Sequence, residues 1–471
     1  MGTMAESEHR YAGMWVFPRP EEMTIDLAAK TVAAPNAFKL GLAGAGVLFI
    51  LGIIGFVVRA TTDGFTDHGP WGYYATGFFF VFMITSGAPL AAVTFRFTKS
   101  HWRRPLTRVS ELFAVVGVVN VILFIPLMLV YPAFENPGAG EHMLELRRTI
   151  WFEVPIGAPH WWDMLGVAFL GVTSLAILWL TSMPDMAERR YTSTGFRRAI
   201  YRALAGRWYG TKRQWEIQKA GIALLGAFYF MFLIYVHFII TTDYGQSMVP
   251  GWKDSIFPVL FSLTSFQTGL GVILVILYIM RRWGGYQEYI GISPFWSASK
   301  LLLAFTLLWA YHVFAFLITY WFDRLEVEQN IVHYFFIKSY GWVFVANFFF
   351  TFVVPFLILL WNPVRKTAWG PALAGLSALL GALLFNLRVF VGAFNAGDIY
   401  SMGMDHVPPA VLPDLWDIFM LVGPIGAAAL VYLAATKIVP MISVWETKEG
   451  AKYQSMQTFI RGEYLVLAKP E

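Results

Sequence analysis

Ten apolar stretches, each long enough to cross a bilayer, constrain this chain more than any single residue does. A hydrocarbon core of roughly 30 Å takes about 20 helical residues. Runs of that length fall at 36–59, 72–96, 110–131, 162–183, 218–242, 255–281, 297–322, 340–361, 368–393 and 413–438. A helix satisfies its own backbone hydrogen bonds in lipid, so the expected fold is an all-α integral membrane protein of about ten transmembrane helices. Composition agrees: 14% of the 471 residues are charged and 57% hydrophobic, against roughly 25% charged in soluble domains. The chain divides into a tail at 1–35, a ten-span domain at 36–438 and a second tail at 439–471.

The connecting loops set the orientation. Lys99, Arg103, Arg104 and Arg108 follow the second span, and a dense basic stretch from Arg189 to Arg213 follows the fourth. Arg281, Arg282, Arg365 and Lys366 mark the loops after the sixth and eighth. Even-numbered loops hold roughly 16 basic residues and odd-numbered loops roughly five, which places the even loops inside by the positive-inside rule. Both termini are then cytoplasmic, and the first 35 residues lack the apolar core of a signal peptide. The net charge of +5 is explained by these loops and does not point to nucleic acid. The chain has no cysteine, which excludes a cysteine-ligated cluster, a c-type haem and a disulfide.

Ionisable groups inside spans cost roughly 2.5–3.5 kcal/mol on insertion scales and are functional candidates for that reason. Asp163 opens the fourth span on its outer side, with His160 about one turn earlier on the same face. Asp243 closes the fifth span on that side, His237 lies about 9 Å deeper at 1.5 Å per residue, and Arg388 falls in the outer part of the ninth. Topology gathers His160, Asp163, Asp243 and Arg388 toward one membrane face, where they suit a polar headgroup and proton transfer. Against this stand plainer roles: helix-end anchoring for the two aspartates, snorkelling for Arg388, helix packing for His237 and His312. Together those two histidines could in principle ligate a b-type haem. Glu111, Asn120 and Lys300 step inward from the inner side, as a proton relay would. A secondary transporter is another reading, although no pair of matching broken spans marks one. The 132–161 loop, with Pro137-Gly138-Ala139-Gly140, offers a surface for a partner.

One segment runs Val236-His237-Phe238-Ile239-Ile240-Thr241-Thr242-Asp243-Tyr244. With Pro250-Gly251-Trp252-Lys253-Asp254-Ser255-Ile256-Phe257-Pro258 after it, it resembles the fifth-to-sixth span junction of the NrfD or polysulfide-reductase membrane-subunit family. Ala158-Pro159-His160-Trp161-Trp162-Asp163 and Met183-Pro184-Asp185-Met186-Ala187-Glu188-Arg189-Arg190 resemble the two ends of its fourth span. Trp102-Arg103-Arg104-Pro105, with Arg108 and Glu111, fits its second-to-third connection. Within that family the pattern is most similar to the large membrane subunits of alternative complex III.

The resemblance implies two four-helix bundles, spans 2–5 and 6–9, with the first and last spans flanking them in a bacterial inner membrane. It implies an iron–sulfur subunit on the outer side, other membrane subunits, and no haem, cluster or metal in this chain. A quinol, menaquinol or ubiquinol, would bind near the outer face. Asp163 would accept its proton, His160 would partner Asp163, and Asp243, Arg388 and His237 would contribute to binding. Proton translocation is compatible with this arrangement. Two departures stand against a quinol site. Met128 and Tyr131 replace the histidine and arginine of the family's His-Leu-Gly-Arg-Pro run, and Lys253 replaces a histidine. A thioether is a weak acceptor, so a quinone-free paralogue, serving as scaffold or proton conductor, stays open.

Overall fold

The computed structural model describes residues 20–130, 150–153, 155, 158–397, 406–459 and 462–467. Among them ten helices are long and apolar enough to cross a membrane: Asn36–Thr62, Gly69–Phe97, His101–Met128, Ala158–Thr192, Lys212–Met248, Phe257–Trp283, Ser293–Asp323, Gly341–Leu360, Trp369–Phe394 and Leu415–Ala435. Spans 2 to 5 pack as one four-helix bundle and spans 6 to 9 as another; spans 1 and 10 pair beside the first. The most apolar stretches of spans 2 and 6 are 83% and 72% buried, against 17% for span 1, so the two bundles meet along the second and sixth helices. Tyr131, residues 132–149 and residues 398–405 lie outside the described residues.

Lipid offers no hydrophobic drive for helices to associate, so close backbone approach has to supply it. Small residues stand where the spans cross. A Cβ built on Gly87 would lie 2.1 Å from the Ser265 carbonyl oxygen, and one on Gly269 2.5 Å from the Ala88 nitrogen. Gly52 of span 1 and Gly423 of span 10 meet in the same way, a Cβ on Gly52 falling 2.2 Å from the Gly423 Cα. In the second bundle the helical ladder loosens into π turns at Phe349–Val353 and Leu387–Val391, with a third at His333–Ile337 before span 8. Such turns insert an extra residue and often accompany functional sites.

The largest difference from the sequence expectation lies at the even-loop face. The basic stretch read as a loop after span 2 is helical and buried, running through Arg104–Glu111 into span 3. The physical reason is a short C-terminal helix, Val444–Lys452, which lays carboxylates over it. Glu446 accepts from Arg103 (2.8 Å), Arg96 (3.0 Å) and Thr107 (2.6 Å), and Glu449 meets Arg104 at 3.3 Å. Arg108 bonds Asp185 of span 4 at 2.9 Å. Span 4 likewise runs past Pro184 to Thr192, because Arg189 is held by the Leu27 carbonyl and the Thr31 hydroxyl, both at 3.0 Å. Beyond the last helix, strands Gln454–Phe459 and Gly462–Leu467 pair as an antiparallel hairpin.

Candidate functional site

At the odd-loop end of the first bundle, spans 4 and 5 bring two carboxyl groups together. Asp163 is buried in the second turn of its helix and Asp243 in the last turn of its own. The two side chains lie within hydrogen-bonding range of one another. Two carboxyl groups bond only when one of them holds a proton, so the pair is a site where a proton can reside. Trp162 donates from Nε1 to Asp243 Oδ2 at 2.6 Å. Asp243 apart, no N–H or O–H donor among the described residues reaches either oxygen of Asp163. Trp151, in the short helix Ile150–Glu153, closes over the group by donating to the Asp243 carbonyl (3.1 Å) and the Ser247 hydroxyl (2.8 Å).

His160 sits one turn before Asp163. Its Nε2 lies 3.3 Å from the Val130 carbonyl; a carbonyl only accepts, so that nitrogen carries the proton. Its ring meets Trp151 edge-on at 4.8 Å and Tyr244 at 6.4 Å. Met128 is two residues before Val130 and packs, partly buried, against the same core. Sequence reasoning did not single out Trp151 or Trp162 as site residues. Trp162 adjoins Asp163 in the quoted motif, whereas nothing local marks Trp151.

His237 is deeper in the bundle and fully buried. Both ring nitrogens are engaged by hydroxyls, Nε2 with Ser86 at 2.9 Å and Nδ1 with Ser262 at 3.1 Å. Ser86 also lies 3.3 Å from Ser265. Asn120 donates to Thr85, one residue before Ser86, at 2.6 Å. A cavity of about 10 Å³ beside these groups is lined by Thr85, Ser86, Asn120, Ser174 and Tyr229, close to the least space that admits one water. Toward the even-loop face Glu111 accepts from Thr181 at 2.8 Å and pairs with Arg96 and Arg108. His312 instead bonds its own helix at the Leu308 carbonyl, 2.8 Å away, on span 7. The two histidines read as a possible haem pair therefore stand in different bundles, with both nitrogens of His237 and Nδ1 of His312 engaged.

Arg388 lies in a separate cluster from the aspartate pair. The π turn Leu387–Val391 directs its buried guanidinium over Phe336, Phe344 and Phe385, at 4.3, 5.2 and 5.8 Å. Its Nε finds no acceptor among the described residues. It borders a cavity of about 20 Å³ shared with Trp252 and Asp254, room for a single water. Asp254, at the loop before span 6, accepts from the Ile256 N–H at 2.7 Å. Burial pushes its carboxyl up to about 6, against the pull of the Ile256 and Phe257 N–H groups. Asp254 was quoted only as part of the junction motif; its place opposite Arg388 depends on a fold that joins residues 254 and 388. Lys253 is exposed, and its carbonyl accepts from the Tyr320 hydroxyl at 3.1 Å.

The family model described as polysulphide reductase, NrfD, matches residues 61–395, about seven-tenths of the chain. A search of curated proteins returns no match. The matched region runs from the end of span 1 through span 9, covering both bundles and both polar clusters. Ten spans, two bundles and that match together make this chain a member of the NrfD polysulphide reductase family, a multi-pass membrane subunit of a quinone-interacting oxidoreductase.

Proposed function

We propose that the chain takes part in quinol oxidation at the odd-loop face of a bacterial inner membrane, within a complex resembling alternative complex III. The observation that carries this reading is Asp163, a buried carboxyl that, Asp243 apart, meets no donor among the described residues. A hydroquinone hydroxyl is the kind of donor such an oxygen lacks, so the residues present fit the group. When bound, quinol supplies two electrons and two protons. Asp163 would accept one of the protons at its free oxygen, with Asp243, steadied by Trp162, sharing it, and the other would leave to water at the odd-loop face. His160, fixed by Val130, packs beside Tyr244 and orients the outer wall. Electrons pass to an iron–sulfur subunit on the same side, since this chain has no cysteine to hold a cluster. Arg388 and Asp254 form a second polar place in the neighbouring bundle. The hydroxyl file Ser86, His237, Ser262 and Ser265, with Glu111 and Asn120 toward the other face, supports proton translocation.

Met128 favours a second reading, a quinone-free paralogue of the same complex in which these groups conduct protons or only pack. Asp163→Asn separates the two. The amide is nearly isosteric, so the subunit should assemble, while loss of the base should lower quinol oxidation by roughly a hundred- to ten-thousand-fold. Unchanged turnover in the assembled complex would favour the paralogue. Met128→His, which restores the side chain of the family's quinol-binding run, is the companion variant.

A further inference from the structure

At the even-loop end of the second bundle, basic side chains gather around one indole. Lys300, in the third turn of span 7, holds Nζ 3.9 Å from the Trp296 ring centre, and Lys366, in the loop after span 8, approaches the same ring to 5.2 Å. Trp296 is tied to that loop by its Nε1, which donates to Asn362 Oδ1 at 3.3 Å. Arg365, next to Lys366, has an Nε with no acceptor among the described residues. Neither segment, 289–300 or 361–370, contains an acidic residue. The ring face attracts each ammonium, but two like charges around one indole repel. Elsewhere on this face, by contrast, the arginines of spans 2 and 3 are matched by Glu446 and Glu449.

Two further tryptophans fix the depth of the patch. Trp361 and Trp369 bracket the loop and are 62% and 51% exposed; indoles in such positions settle at the level of lipid headgroups. Side chains at that depth would lie level with lipid phosphates.

We propose that Lys300, Lys366 and Arg365 bind the phosphate of an anionic phospholipid, with Trp296 holding the two lysines toward it. A single negative phosphodiester supplies the counter-charge these segments lack, and the surrounding indoles suit its glycerol region. Each lysine near a membrane surface contributes about fivefold to attraction for anionic lipid.

The test is native mass spectrometry of the purified full chain in nonionic detergent, titrated with dioleoylphosphatidylglycerol or dioleoylphosphatidylcholine. The wild type should retain the anionic lipid in preference to the zwitterionic one. The double variant K300Q/K366Q should lose that preference by roughly twentyfold, whereas K300R/K366R should keep it. K212Q, which removes a lysine that already faces Glu216 at 4.0 Å, should leave the preference in place. Circular dichroism on each variant verifies that helix content is retained, which surface substitutions should not disturb. An undiminished preference in K300Q/K366Q would overturn the proposal. Displacement of the lipid by inorganic phosphate at equal concentration would also overturn it, since it would make this a free-phosphate site.

Discussion

Single atoms decide much in this molecule. A methyl group on Gly87 would press into the Ser265 carbonyl, whereas one on Gly44 meets nothing within 4 Å. Overpacking of this kind costs about 1–3 kcal/mol, or more where backbone is the obstacle. Gly87→Ala should therefore lower the thermal unfolding temperature and folded yield in detergent, while Gly44→Ala should leave both unchanged. Equal behaviour of the two variants would mean that the seam relaxes more easily than its spacing implies. Both are glycines in apolar runs, and nothing in the linear sequence separates them. The aspartates teach the same lesson from the other side. Asp163 and Asp243 were legible as a pair because span topology alone puts them at one face. Arg388 was assigned to that same face, but which bundle its side chain enters depends on the π turn Leu387–Val391, and no periodicity predicts that turn. The hydroxyls around His237 were invisible for a related reason: Ser86 and Ser262 are ordinary residues until the helices cross.

Among the elements, the C-terminal helix Val444–Lys452 has the clearest measurable consequence. Burial opposes ionisation of Glu446, yet Arg103 and Arg96, with the Thr107 hydroxyl, hold its carboxyl below the ordinary value of 4.5. Glu111, Asp185 and Arg108 complete the charged surroundings. A carboxyl depressed by folding contributes stability above its unfolded pKa and loses it as pH falls through the lower, folded one. Glu446→Gln leaves two buried guanidinium groups short of a partner, a loss of about 3–5 kcal/mol at neutral pH. The gap in unfolding temperature between wild type and E446Q should be widest near pH 7 and narrow progressively below about pH 4.5. A gap that stays constant into acid would show that the charge on Glu446 is not what the helix contributes. The sequence displayed Arg103, Arg104 and Arg108 as a loop because runs of arginine usually face water. The carboxylate partners of Arg103 and Arg104 lie more than 300 residues away, at Glu446 and Glu449, and Asp185, which bonds Arg108, lies 77 residues away, too far for local reasoning to connect.

The ten spans themselves were legible from length and hydropathy, and the family motif at the fifth-to-sixth junction carried the two-bundle arrangement. Boundaries were less so: polar ends that find partners inside the protein extend spans 3 and 4 past the limits that lipid alone would set. The proposed orientation rests on the alternating basic loops, and site-directed labelling of intact cells checks it. Tags within 132–161 or 394–412 should react from outside only and tags within 191–210 from inside only. Outside reactivity of the 191–210 tag would invert the assignment and move the aspartate pair to the cytoplasmic face. The glycine contacts between spans 2 and 6 also bear on how such a molecule works. Where main chain lies against main chain, no side chain is left to act as a hinge, and no acyl chain can wedge the halves apart. At that crossing the spacing of the two bundles is set by main chain alone, and a larger side chain on either helix would force them apart. On the proposed function, a quinol would reach Asp163 laterally from the bilayer or past the odd-numbered loops, away from this seam of main chain against main chain.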